Sequence, residues 1–139
     1  MLNIWVKTFM PHIIIEHNGR HGLDGRTIAK ALHKEAQTIE AFPTGGLRVR
    51  VFKPSFSLVG DGDRHNGFIY VTVRIGQGRS EAVKTEIGDR LFQVLTDLAA
   101  PVFDAAKPLS LGLEIQEIEK DMTWKKNNIH QILKDKHNG

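Results

Sequence analysis

The sequence predicts an α+β domain: a β-α-β unit written twice, with four strands in one mixed sheet and both helices on a single face. Three observations predict it. Short β-branched or alternating runs recur at 12–17, 47–52, 68–75 and 109–116. Two longer stretches, 28–39 and 80–98, repeat apolar residues at helical spacing. The order is strand–helix–strand twice over, and a parallel strand pair needs a crossover long enough to hold a helix.

His12-Ile13-Ile14-Ile15-Glu16-His17 is a β-branched run closed by Asn18-Gly19, hence a strand and a turn. Glycines 19, 22 and 25, with Asp24, keep the chain open to about Thr27. Ile28, Leu32, Ala36 and Ile39 then form one helical stripe with Lys30, Lys34 and Glu35 off it, and Phe42–Gly46 supplies the breakers. In the next strand Leu47, Val49 and Val51 point one way and Arg48, Arg50 and Phe52 the other. A polar, turn-rich stretch at 58–67 leads into Phe68–Ile75, the strongest strand. Gly76–Ser80 bends into a second helix carrying Val83, Ile87, Leu91, Val94, Leu95 and Leu98 on one face. Ser80 suits its N-cap, Glu81 its first turn, and Pro101 and Pro108 are expected to bound its end. The last strand sets Leu109, Leu111, Leu113 and Ile115 against Ser110, Gly112, Glu114 and Gln116. Beyond Lys120 the tail is polar, with Ile129 and Leu133 able to anchor a short helical turn. The sheet face without helices is expected to be too apolar for water, which predicts an oligomer that covers it.

The 139 residues suit one domain, and 40% hydrophobic with 25% charged residues is an ordinary globular balance. With no cysteine, disulfides, thiolate nucleophiles and Cys-ligated zinc are excluded, and a cytoplasmic location is expected. Lys and Arg exceed Asp and Glu by 19 to 16 with the signs interspersed, so nucleic acid is not expected as a partner. Nor is a membrane, since no apolar run is long enough to span one. The apolar Met1–Met10 has no basic leading region and no small-residue cleavage signature, so it does not read as a signal peptide.

No metal site is expected. The histidines at 12, 17, 21, 33, 65, 130 and 137 are scattered, and Asp61-Gly62-Asp63 lacks the glycine and glutamate spacing of a calcium loop. Gly76-Gln77-Gly78-Arg79-Ser80 is no dinucleotide fingerprint, but it sets backbone N–H groups and a guanidinium at a helix start, where anions are favoured. On spacing alone, a plain bend with a solvated arginine is the favoured reading of the same residues. Arg48 and Arg50 are either edge protection or a bidentate grip on a carboxylate, and spacing does not choose. Pro11, after Met10 and before a strand, is either a strand opener or a latent base. A free α-amine has a pKa of roughly 7.7–8, lowered by burial or cations, and would be a competent base near neutral pH. Within the chain as written its nitrogen is a tertiary amide.

These residues resemble the tautomerase superfamily and, within it, the 5-carboxymethyl-2-hydroxymuconate isomerases. The matching stretches are Met10–Glu16, Phe42-Pro43 with Gly46–Arg50, Ile75–Ser80, Leu113–Ile115 and Lys126–His130, within a similarity running from Met10 to about Lys134. Segments 19–27 and 54–66 match poorly and are where specificity is expected to diverge. The resemblance implies a homotrimer with sites near subunit interfaces and a cofactor-free proton shuttle in the breakdown of aromatic compounds. Pro11 would take the proton from the 2-hydroxy group of a small anionic enol acid and return it to a distant carbon. Arg48 and Arg79 match the arginines that bind substrate carboxylates and steady the dienolate, Arg50 is a further candidate, and Glu16 and Glu114 match without a catalytic role. Members of this family begin at the proline, whereas here ten residues precede it. We therefore expect 1–10 to be an N-terminal extension outside the native protein, with Met10 the physiological start, and 11–139 to be a single domain. The alternative is a non-catalytic trimeric anion-binding protein in which the extension blocks Pro11.

Overall fold

Ile13 and Ile15 turn to one side of β1 (His12–His17) and are fully buried, which makes this strand a middle strand of the sheet. The computed structural model describes residues 10–138, so the extension expected over 1–10 lies outside the described residues except for Met10. β1 pairs in parallel with β2 (Arg48–Phe52) and antiparallel with β3 (Gly67–Gly76), and β3 pairs in parallel with β4 (Leu109–Ile118). The order is β2-β1-β3-β4, the mixed four-stranded sheet that the pattern predicts.

Each parallel pair is joined by a crossover helix, α1 (Gly25–Ala36) and α2 (Glu81–Asp104). Both lie on one face. Ile28, Leu32 and Ala36 from α1 and Ile87, Leu91 and Leu95 from α2 form one cluster with Ile13, Ile15, Ile69, Val71, Val73 and Ile75 of the sheet. The helices are tied by Arg90, whose Nε and Nη2 reach Glu35 Oε2 at 2.8 and 2.6 Å.

The element ends differ from the sequence expectation where side-chain capping or packing intervenes. α1 starts at Gly25 rather than Thr27, because Asp24 Oδ2 accepts from the Thr27 N–H at 3.3 Å and from its hydroxyl at 3.2 Å. α2 begins as expected, with the Val83 N–H donating to Ser80 Oγ at 3.2 Å. It ends at Asp104, between Pro101 and Pro108 as expected. Proline removes one backbone bond, here to the carbonyl of exposed Asp97, and buried Ala99 and Val102 flank it in the last turns.

The tail forms more than a turn. A third helix, α3 (Ile129–Asn138), packs on the turn Thr44–Gly46 just before β2. Asn127 Nδ2 donates to the Gly45 carbonyl at 2.9 Å, and Asn127 Oδ1 accepts from the Ile129 N–H at 2.8 Å, so one side chain both docks and caps the helix.

The open sheet face is less apolar than expected. Alternation places His12, Ile14 and Glu16 of β1 there with Arg48, Arg50 and Phe52 of β2 and Phe68, Tyr70, Thr72 and Arg74 of β3. Arginines and polar groups occupy much of what the pattern assigned to a hydrophobic contact.

Candidate active site

The register decides which side chains meet at the start of β1. Because β1 and β2 are parallel and β3 runs against them, the beginnings of β1 and β2 lie beside the end of β3. His12 is paired with Arg48 on one side and Arg74 on the other. Paired residues point to the same face, so the three form a row across the open side. One step before it Pro11 is fully buried, and its carbonyl accepts from the Arg48 N–H at 3.0 Å.

Arg50 stands two residues along the same face of β2 and turns back, its Nη1 lying 2.9 Å from His12 Nδ1. A guanidinium only donates, so His12 accepts at Nδ1 and carries its proton on Nε2. Burial lowers the His12 pKa below 6.5, and the charges of Arg50, Arg74, Arg48 and Lys125 lower it further. The imidazole is thus a neutral spacer in a cationic neighbourhood.

Arg79 sits on the bend between β3 and α2. Gly78 precedes it at φ +111°, a conformation that a side chain would strain. The Arg79 guanidinium donates through Nη2 to the Ala41 carbonyl at 2.6 Å, in the connection from α1 to β2, and burial lowers its pKa. Of the residues singled out in the sequence, Pro11, Arg48 and Arg50 share the β1–β2 pair, and Arg79 lies past the end of β3 at the same end of the sheet.

Among the described residues no carboxylate forms an ion pair with the row. Among the described residues the ion pairs are His65–Asp63, Lys84–Glu117 and Arg90–Glu35, and none includes Arg48, Arg50 or Arg74. Glu114 is engaged elsewhere on the face, accepting from the Tyr70 hydroxyl and, at 2.8 Å, from Gln116 Nε2. Asp61 and Asp63 organise their own turn: Asp61 Oδ1 accepts from the Asp63 N–H at 3.0 Å, and Asp63 Oδ1 from the His65 N–H at 2.8 Å. Adjacent uncompensated guanidinium groups repel, so the arrangement favours an anionic occupant.

Sequence reasoning missed His12, Arg74 and Lys125. Alternation along β3 marks Arg74 as facing away from Val73 and Ile75, but only the register sets it beside His12. Lys125 carries no such signal, since it arrives through the docking of the tail at Gly45.

A family model for 5-carboxymethyl-2-hydroxymuconate isomerase matches residues 11–133. The 5-carboxymethyl-2-hydroxymuconate Delta-isomerase of Escherichia coli is 28% identical over 127 residues, covering 90% of this chain and 100% of that protein. The crystal structure of a 5-carboxymethyl-2-hydroxymuconate isomerase from Deinococcus radiodurans R1 is 38% identical, with a TM-score of 0.78 over 91% of this chain and 96% of that one. A fused 4-OT described as a symmetric trimer shares the fold at 16% identity, with a TM-score of 0.62 over 84% of this chain and 93% of that one. No described helix is long and apolar enough to cross a membrane.

Proposed function

The chain belongs to the 5-carboxymethyl-2-hydroxymuconate isomerase family of the tautomerase superfamily, and from that membership we propose that it isomerises a 2-hydroxymuconate-type enol acid without a cofactor. The observation that carries this reading is the row of Arg48, His12 and Arg74, with Arg50 behind it and no ion pair to a described carboxylate, beside Pro11.

In the proposed reaction the Pro11 nitrogen is a secondary amine, freed by removal of the preceding residues. An α-amine has a pKa of roughly 7.7–8, and the guanidinium groups nearby disfavour its ammonium form, leaving it a base near neutral pH. It accepts the proton of the substrate 2-hydroxyl, and the resulting dienolate takes that proton back at a distant carbon, giving the keto isomer. Arg48 and Arg50 bind substrate carboxylates, and Arg79 steadies the negative charge of the dienolate. The active form is proposed to be a homotrimer. The open face and the exposed Phe56, at 76%, and Leu58, at 71%, offer surface for it, and the symmetric trimer with this fold supports that assembly.

The ten residues before Pro11 favour a second reading, a trimeric anion-binding protein whose capped proline cannot act as a base. Turnover of 2-hydroxymuconate by the full chain and by a chain beginning at Pro11 separates the two. Activity that appears on trimming supports the isomerase; activity in neither form supports the binding protein. Intact mass of the protein from its native host tests the start site, and a major species retaining Met1–Met10 argues against maturation at Pro11. In an active form, Arg79→Ala is expected to lower kcat by about 100-fold or more, the scale of losing one charge-stabilising donor. A rise in KM alone would make Arg79 a binding group.

A further inference from the structure

Resting on that reading of the site, we propose that His12 is a positioning residue: its imidazole orients the Arg50 guanidinium for an incoming anion and leaves the charge of that arginine available. Arg50 pairs with Ile14 across β1 and β2, and His12 stands two residues before Ile14 on the same face. A diagonal separation of that kind between neighbouring strands is within reach of a long side chain. Arg50 spans it, its Nη1 lying 2.9 Å from His12 Nδ1. Among the described residues no other hydrogen bond holds the Arg50 side chain, and no ion pair includes it. One of its five N–H groups goes to His12, and the rest are left for a ligand.

The chemistry of the acceptor is what makes this useful. A carboxylate in the same place would orient Arg50 as well, but it would also cancel the charge and compete with the anion. A neutral imidazole does only the first. Burial, and then the charges of Arg50, Arg74, Arg48 and Lys125, hold His12 in the neutral form in which Nδ1 accepts. The anchor is itself fixed, since His12 lies on a middle strand between Pro11 and Ile13, both fully buried. Arginine loses much rotamer freedom when a ligand fixes it, and a bond made beforehand removes part of that loss.

The test is a double-mutant cycle on the full chain, read by calorimetry of muconate binding at low ionic strength. Muconate is a conjugated dicarboxylate that lacks the 2-hydroxyl and so does not react. His12→Leu removes the acceptor without changing the charge and is expected to weaken binding roughly 2- to 12-fold, the scale of ordering one long side chain. His12→Asn supplies an oxygen near the place of Nδ1 and is expected to recover most of that loss. In an Arg50→Ala background His12→Leu is expected to have no further effect. Nitrogen NMR of the wild-type imidazole needs no ligand and no variant, and is expected to show His12 protonated at Nε2 and bare at Nδ1. Circular dichroism reports the fold of each variant. A folded His12→Leu protein with unchanged affinity, or a folded His12→Asn protein as weak as it, overturns the proposal. So do additive losses, which would put His12 in direct contact with the anion, a proton on Nδ1, or no binding of muconate by the wild type. Because the readout is binding, it is separable from the proposed reaction. A chain beginning at Pro11 that turns over 2-hydroxymuconate yet fails here loses only the role of His12. One that shows the coupling without turnover loses only the chemistry.

Discussion

Replacing Gly45 with alanine is expected to undock the C-terminal helix and loosen the site from outside. A Cβ at Gly45 would lie 2.6 Å from His130 Nδ1, 2.9 Å from its Cγ and 2.9 Å from its backbone nitrogen. The last contact is decisive, since a backbone nitrogen cannot swing aside as a side chain can, and overpacking of this kind costs about 1–3 kcal/mol. The strain has an easier outlet than the sheet: α3 has no buried residues and is tied to the Thr44–Gly46 turn through Asn127. We therefore expect the helix to detach while the core stays folded, raising its open population roughly 5- to 150-fold. A detached ten-residue helix is marginal in water and melts. Tryptic cleavage after Lys134, inside α3, should accelerate by that factor where opening is fast relative to cleavage. Lys125 would withdraw from His12 at the same time, weakening anion binding. Cleavage at Lys134 as slow as in the wild type, with an unchanged melting temperature, would refute the steric argument.

Two further predictions concern stability. His12 and His17 both have pKa values lowered from 6.5, first by burial and then by neighbouring cations, Lys53 in the case of His17. Between the folded and unfolded values the unfolded chain binds more protons, so their contribution is complete above about pH 6.5 and declines as pH falls below it. The depressed carboxyls of Asp63 and Glu114 lose theirs only below about 4.5, so the window from pH 7 to 5 isolates the histidines. Thermal melts should fall across it, and a flat or rising profile counts against this. Gly88→Ala is the steric opposite of Gly45→Ala: its Cβ would meet Ile115 Cδ1 at an ordinary 3.5 Å within α2. Removing a helix-interior glycine should stabilise by about 0.5–1 kcal/mol, and a lower melting temperature would show that the site is tighter than its geometry.

Periodicity made most of the fold legible, because each buried face leaves its own mark on the letters. Val49 and Val51 alternate with arginines, Ile28 and Leu32 stand one turn apart, and Ser80 announces α2, all of which the structure bears out. The places it missed involve a competition that local pattern cannot weigh. The tail reads as polar and good for a short turn at most, until Asn127 finds Gly45 and a ten-residue helix docks there.

For the site, the sequence by itself determined the family, through Met10–Glu16, the Gly76–Ser80 bend and the Lys126–His130 tail, and it named Pro11, Arg48, Arg50 and Arg79. What only the tertiary structure decided is the company these residues keep. Arg74 lies 26 positions from Arg48 in the chain, and strand register brings both to His12. The neutral imidazole between them, the turn of Arg50 toward it and the approach of Lys125 depend on pairing and docking across distant segments. A charge's neighbours set its energy, and those neighbours are chosen by the fold.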